Sequence, residues 1–239
     1  MQDNRDEREV PATRRVHGVD QNVLVDPPGL GLSEPLTRVS DIAGAADAAI
    51  DLLAGLGVEG PVDWVGNAFG GHVGFALGAR PGVLRSLVAV SSPTQAVAGP
   101  LRARIRLLLP ILRAAGPVGP VRSAILSTML TDASAAREPI LRVVEEALAR
   151  PTRHSLALAV QSFSLNRIDV TAGLVDLRVP SLFVASDNRG DWTPEDAAAA
   201  AALAPRADLV TIGAARTLVL LAQPEALARQ IRQVWERSA

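Results

Sequence analysis

Residues 62–82 read VDWVGNAFGGHVGFALGARPG. An apolar run, Val62–Val65, leads into a corner framed by glycines and then into an alanine- and glycine-rich segment. The apolar run reads as a buried strand. The segment from Phe69 to Arg80 reads as a helix, and GNAFGG (66–71) as the tight turn between them. Turns of this shape present their central residue at the carboxyl end of a strand, where many enzymes place a nucleophile. The central residue here is Ala68, whose methyl group cannot attack anything.

The same alternation extends to both sides. NVLVD (22–26) predicts a short strand, stopped by PPGLGLSEP (27–35). Ile42, Ala46, Ala49, Ile50 and Leu53 recur at helical spacing, with Ser40 or Asp41 as the cap. SLVAVSS (86–92) predicts a strand that ends before Pro93. After residue 180 the pattern resumes. SLFVAS (181–186) reads as a strand, Pro194 to Leu203 as a helix opened by Thr193, DLVTI (208–212) as a strand and 224–237 as a final helix. Strands alternating with helices predict an α/β fold with a mostly parallel sheet covered on both faces. Residues 94–178 break the alternation with consecutive amphipathic helices. The expected organisation is an arm at 1–21, a core at 22–93 and 180–239, and a helical cap at 94–179.

Composition narrows the function classes. The chain has 239 residues, 48% of them hydrophobic and 21% charged, with a formal net charge of -1. That balance suits a globular protein and gives no general attraction to nucleic acid. There are no cysteines, which excludes thiolate chemistry. No run approaches the roughly 20 apolar residues of a membrane span, and the polar start MQDNRDEREV has no apolar leader. A cytoplasmic location is the expectation. No metal-ligand spacing, P-loop or dinucleotide fingerprint is present, so no cofactor is expected.

Four stretches, in order, carry a family resemblance. VLVDPPGLGLSEP resembles a strand ending in D-x-x-G-x-G-x-S. VDWVGNAFGGHVGFALGARPGVLRSLVAVSSP resembles a nucleophile-elbow strand, turn, helix and strand. LRVPSLFVASDNRGDWTPEDA resembles the strand that delivers a catalytic acid. IGAARTLVLLAQPEAL resembles the last strand and the loop that delivers a histidine. On these the chain resembles the α/β-hydrolase superfamily, in its small capped esterase, epoxide-hydrolase and C–C-hydrolase type.

The resemblance implies site positions that this chain fills unusually. The nucleophile position is Ala68, flanked by Gly66 and Gly70, where close approach of strand and helix backbones is expected to exclude a side chain. The histidine position, seven residues before Pro224, is Thr217. The three histidines, His17, His72 and His154, lie elsewhere. His72 is expected to pack or hydrogen-bond, and His154 to be exposed. The acid position is Asp191 or, alternatively, Asp187; for Asp191 a contact with a helix N-terminus is an equal reading. The oxyanion donors would include the Phe69 N–H, with Asn67 beside it. VHG (16–18) lies too close to Asn22 to supply the second one. Three family strands expected upstream have no room, so either the strands at 22–26 and 62–65 pair directly or the chain is a shortened form.

Three functions compete on this basis. The first is a catalytically silent homologue, a pseudoenzyme with a degenerate elbow, that binds a small apolar molecule or a partner under the cap. The second is an enzyme (hydrolase, lyase or cyclase) acting without a covalent intermediate on a small apolar ester- or carbonyl-containing substrate. Its working groups would be Asn67, Asp191, Thr217 and the Phe69 N–H. The third is a diverged copy sharing the fold alone. Ser33 is expected to tie down its own loop. Ser91 and Ser92 are expected at a strand end, where ligands bind in open sheets. RARIRLLLPILR is basic and amphipathic, and is read as a lid helix with its polar face in water, a membrane surface being the alternative. Oligomeric state is left open.

Overall fold

The computed structural model describes residues 22–187 and 191–238. The arm at 1–21, with His17 and the VHG stretch, lies outside them. The first helix, α1 (Ile42–Gly55), is capped by Asp41, whose carboxylate accepts from the Gly44 N–H at 2.8 Å. Strand β1 (Val62–Asn67), helix α2 (Phe69–Gly78) and strand β2 (Leu84–Val90) follow. Next come helices α3 (Gly99–Ala115), α4 (Gly119–Met129), α5 (Asp132–Ala135), α6 (Glu138–Ala149) and α7 (Arg153–Val160). A π-turn at Gln161–Leu165 and a 3₁₀ segment at Thr171–Asp176 close that block. Strand β3 (Ser181–Ser186), α8 (Pro194–Leu203), β4 (Ala207–Ile212), α9 (Val219–Ala222) and α10 (Pro224–Ser238) complete the chain.

The four strands are all parallel and stand in the order β1-β2-β3-β4. Parallel neighbours need crossover connections, and helices cover both faces of the sheet. One face packs Leu87, Ala89, Phe183 and Ala185 against α1, α2 and α8. The other packs Val88, Val90, Leu182 and Val184 against α9 and α10. Because both faces are buried, β3 is apolar or small throughout and wholly buried. The helical block carries two smaller cores of its own. One joins Leu109, Leu112, Val121 and Leu156; the other joins Leu130, Ile140 and Val144 to Leu218, which caps α9, and Leu221 within it.

The strand expected at 22–26 does not form. That stretch is extended but unpaired, with Leu24 97% exposed. A strand needs a ladder partner for its backbone groups, and none of the described strands lies beside it. The local chemistry of the loop holds instead. Ser33 Oγ donates to the Asp26 carbonyl at 2.6 Å, and the Leu32 N–H donates to its carboxylate at 2.8 Å. The loop docks on the helical block, since Ser155 Oγ donates to the Gly29 carbonyl and accepts from the Leu36 N–H. Residues 22–26 and β1 therefore do not pair directly. Among the described residues β1 is an edge strand, bonded only to β2.

Candidate functional site

Strand β1 ends at Asn67 and α2 starts at Phe69, so Ala68 alone makes the turn. Its φ of 49° and ψ of -111° lie outside the regions open to ordinary L-residues. The Ala68 N–H donates to the Val90 carbonyl at 2.8 Å, and the Ala68 carbonyl accepts from Gly71 and His72. Both sides of the corner are thus pinned, and the surrounding structure imposes the strained conformation. The turn is an elbow with a methyl group at its tip.

The two framing glycines prove unequal. A Cβ on Gly66 would lie 2.1 Å from the Gly70 carbonyl carbon, so no side chain fits. At Gly70 a Cβ would meet nothing within 4 Å. The expectation that both positions exclude side chains holds only for Gly66. Helix and strand meet instead at Gly71, where a Cβ would lie 2.0 Å from Ser92 Oγ. Gly70 contributes its carbonyl, which accepts from Trp64 Nε1 at 2.8 Å.

One strand over, Ser91 also has a positive φ, of 47°. It lines a small cleft at the carboxyl ends of the strands, with about 170 Å³ of empty space, together with Ser186, Asp191, Trp192 and Thr217. Ser92 is not on the wall; it is buried beneath α2 and donates to the Val90 carbonyl. Ser186 and Trp192 are additions that the sequence reading missed. The signal for Ser186 was available, because it ends β3 at the edge where such clefts form.

Asp191 reaches this wall, whereas Asp187 is exposed beside Gly213 and is not among the lining residues. The helix-terminus reading of Asp191 does not hold. Thr193 and Asp196 cap α8 reciprocally, the Thr193 side chain accepting from the Asp196 N–H and the Asp196 carboxylate from the Thr193 N–H. Asp191 instead accepts from Arg167 Nη1 at 2.6 Å, and the Arg167 side chain is only 9% exposed. The carboxylate at the acid position thus has a guanidinium for its partner, which is permanently charged and cannot shuttle a proton. Thr217 also lines the cleft, and its Oγ1 donates to the Thr128 carbonyl at 2.8 Å. Asn67 Oδ1 is buried and has no partner among the described residues.

Phe69 stacks on Phe163 of the π-turn with ring centroids 3.8 Å apart, so the residue after the elbow tip is held against the helical block. His72 is buried, with Nε2 bonded to the Pro93 carbonyl and Nδ1 unpartnered. Burial is the main cause that pushes its pKa down to about 4; nearby Arg167 adds to this, and the Pro93 carbonyl and Asp191 oppose it. It is a neutral packing residue near pH 7. His154 is exposed on α7.

The chain matches the model of the α/β-hydrolase family over residues 11–230. It belongs to that family. No protein of curated function is similar enough in sequence to match. Among solved structures it resembles a thermophilic esterase from Thermogutta terrifontis, with 24% identity, a TM-score of 0.80, and coverage of 89% of this chain and 78% of that one. It also resembles the enol-lactonase from Burkholderia xenovorans LB400, with 17% identity, a TM-score of 0.78, and coverage of 88% and 79%. A third is Est816, described as an N-acyl homoserine lactone degrading enzyme, with 21% identity, a TM-score of 0.71, and coverage of 87% and 80%. At these identities the likeness establishes the fold.

Proposed function

We propose that this α/β-hydrolase family protein binds a small molecule in the cleft at the strand ends and does not hydrolyse it through the elbow. The observation that carries the reading is Ala68. It keeps the strained elbow conformation but has no atom that can form an acyl or ester intermediate. The other triad positions support it. Thr217 carries no imidazole, and Asp191 is held by Arg167. The helical block acts as the cap, with residues 94–179 as its extent and a cytoplasmic location as part of the same reading.

The ligand is taken to be small, with polar groups directed at the strand ends, because the cleft wall is built of two serines, a threonine and a carboxylate beside one indole. As it stands the cleft has almost no room for even a water-sized sphere, whereas ordinary ligand pockets hold roughly 300–1,000 Å³. Under this reading the residues of the wall move apart to admit the ligand.

The test is hydrolysis of short acyl p-nitrophenyl esters. The unmodified chain and Ala68→Ser are both expected to stay at the uncatalysed rate, since a serine without a base remains a weak nucleophile. Turnover by the unmodified chain would overturn the proposal. A second reading, an enzyme acting without a covalent intermediate, draws on Asn67, whose Oδ1 is buried without a partner among the described residues. Under that reading Asp191→Asn and Asn67→Ala each abolish whatever carbonyl chemistry is found, and unchanged activity in both would remove it.

A further inference from the structure

Helix α3 has two apolar faces. The inner one, with Leu109 and Leu112, packs on Val121, Leu156 and Ala157. On the opposite side Ala103, Leu107, Pro110, Ile111 and Ala114 are all exposed, Leu107 to 75% and Ile111 to 38%. At 100° per residue these five fall within about 100° of arc, which makes one continuous stripe along the helix. Val118, just beyond the helix, extends the exposed apolar surface at 51%. The arginines face water, as expected of the polar face, but the outer side also exposes this apolar stripe.

The charges flank the stripe. Arg106 and Arg113 project on one side and Arg104 on the other, with Arg102 further round. The helix holds four arginines and no acidic residue, in a chain whose formal net charge is only -1. None of the four forms an ion pair among the described residues, although Arg113 donates to the Gln161 side chain at 2.7 Å. No helix of the described residues is long and apolar enough to cross a membrane.

We propose that α3 is an interfacial helix that lies on an anionic lipid bilayer, its Leu107–Ile111 stripe entering the headgroup boundary and its arginines contacting lipid phosphates and carboxylates. An apolar stripe bordered by cations is the pattern that such helices use, the apolar side chains supplying burial and the cations attraction to the surface. A second copy of this chain fits less well. A two-fold contact through this face would set one copy's arginines against the other's. The inference is independent of whether the cleft binds or transforms its ligand.

The experiment is flotation of the full chain with phosphatidylcholine vesicles, with and without one third phosphatidylserine, at low and high salt. Binding is expected to the serine-containing vesicles only, and to weaken as salt screens the surface. The paired substitution Arg104→Gln with Arg106→Gln is expected to lower partitioning roughly fivefold per arginine. Leu107→Gln with Ile111→Gln is expected to abolish it. Both pairs alter exposed side chains, so thermal melts should match the unmodified chain and confirm folding. Failure to bind anionic vesicles at low salt would overturn the proposal. So would equal binding to neutral vesicles, or a dimer that Leu107→Gln with Ile111→Gln converts to monomer without any lipid binding.

Discussion

Ala68, Gly66 and His72 each show how one position is held by its surroundings. Ala68 keeps a conformation that L-residues avoid because its N–H and carbonyl are both bonded across the corner. Gly66 is required by a steric contact, and Gly70 is not. Gly66→Ala should therefore cost more than about 2 kcal/mol, the scale of overpacking against rigid backbone. Gly70→Ala should stay within about 0.5 kcal/mol, because its Cβ would enter open space. Parallel denaturant titrations would measure both. His72 makes a pH prediction. Its folded pKa of about 4 lies below the ordinary 6.5, so the unfolded chain takes up the proton first as pH falls. The stability contribution is complete above pH 6.5, is lost as pH falls toward 4, and levels off below that. The total is on the order of 3 kcal/mol. His72→Gln should flatten that part of the stability-pH curve, measured by urea unfolding between pH 7 and pH 4.

Element by element, the sequence was legible wherever a segment's own residues specify it. Strand β3 and helix α8 fall where the pattern places them, and Thr193 opens α8 as its position implies. That cap is local chemistry, so Thr193→Ala should lower stability by about 1 kcal/mol in thermal unfolding. The 22–26 stretch shows the limit. Its run of apolar residues, Val23 to Val25, has strand propensity, but propensity gives no ladder partner, and the segment stays unpaired and exposed. Helix α3 shows another. Its sequence is amphipathic by eye, yet which side faces water depended on where α4 and α7 stand. The stripe is visible only once Leu109 and Leu112 are known to point inward.

For the whole molecule, four parallel strands with helices on both faces build the cleft at the carboxyl ends of the two central strands. The same sheet leaves β1 open on its outer side among the described residues, with Val65 42% exposed there. An unpaired apolar edge invites pairing between molecules. Val65→Lys should reduce concentration-dependent light scattering without lowering the melting temperature. The α/β order and the turn at Ala68 could be read from the sequence by itself, because they rest on local periodicity, while the positions given to Ala68 and Thr217 rest on the resemblance to the α/β-hydrolase superfamily. The tertiary structure alone decided the partner of Asp191, since Arg167 is 24 residues away and comes from the helical block. It also gathered Ser91, Ser186 and Trp192 on one wall with Asp191 and Thr217. Contacts of that kind depend on how layers stack, and a linear pattern specifies which residues seek burial without specifying which neighbour each one meets.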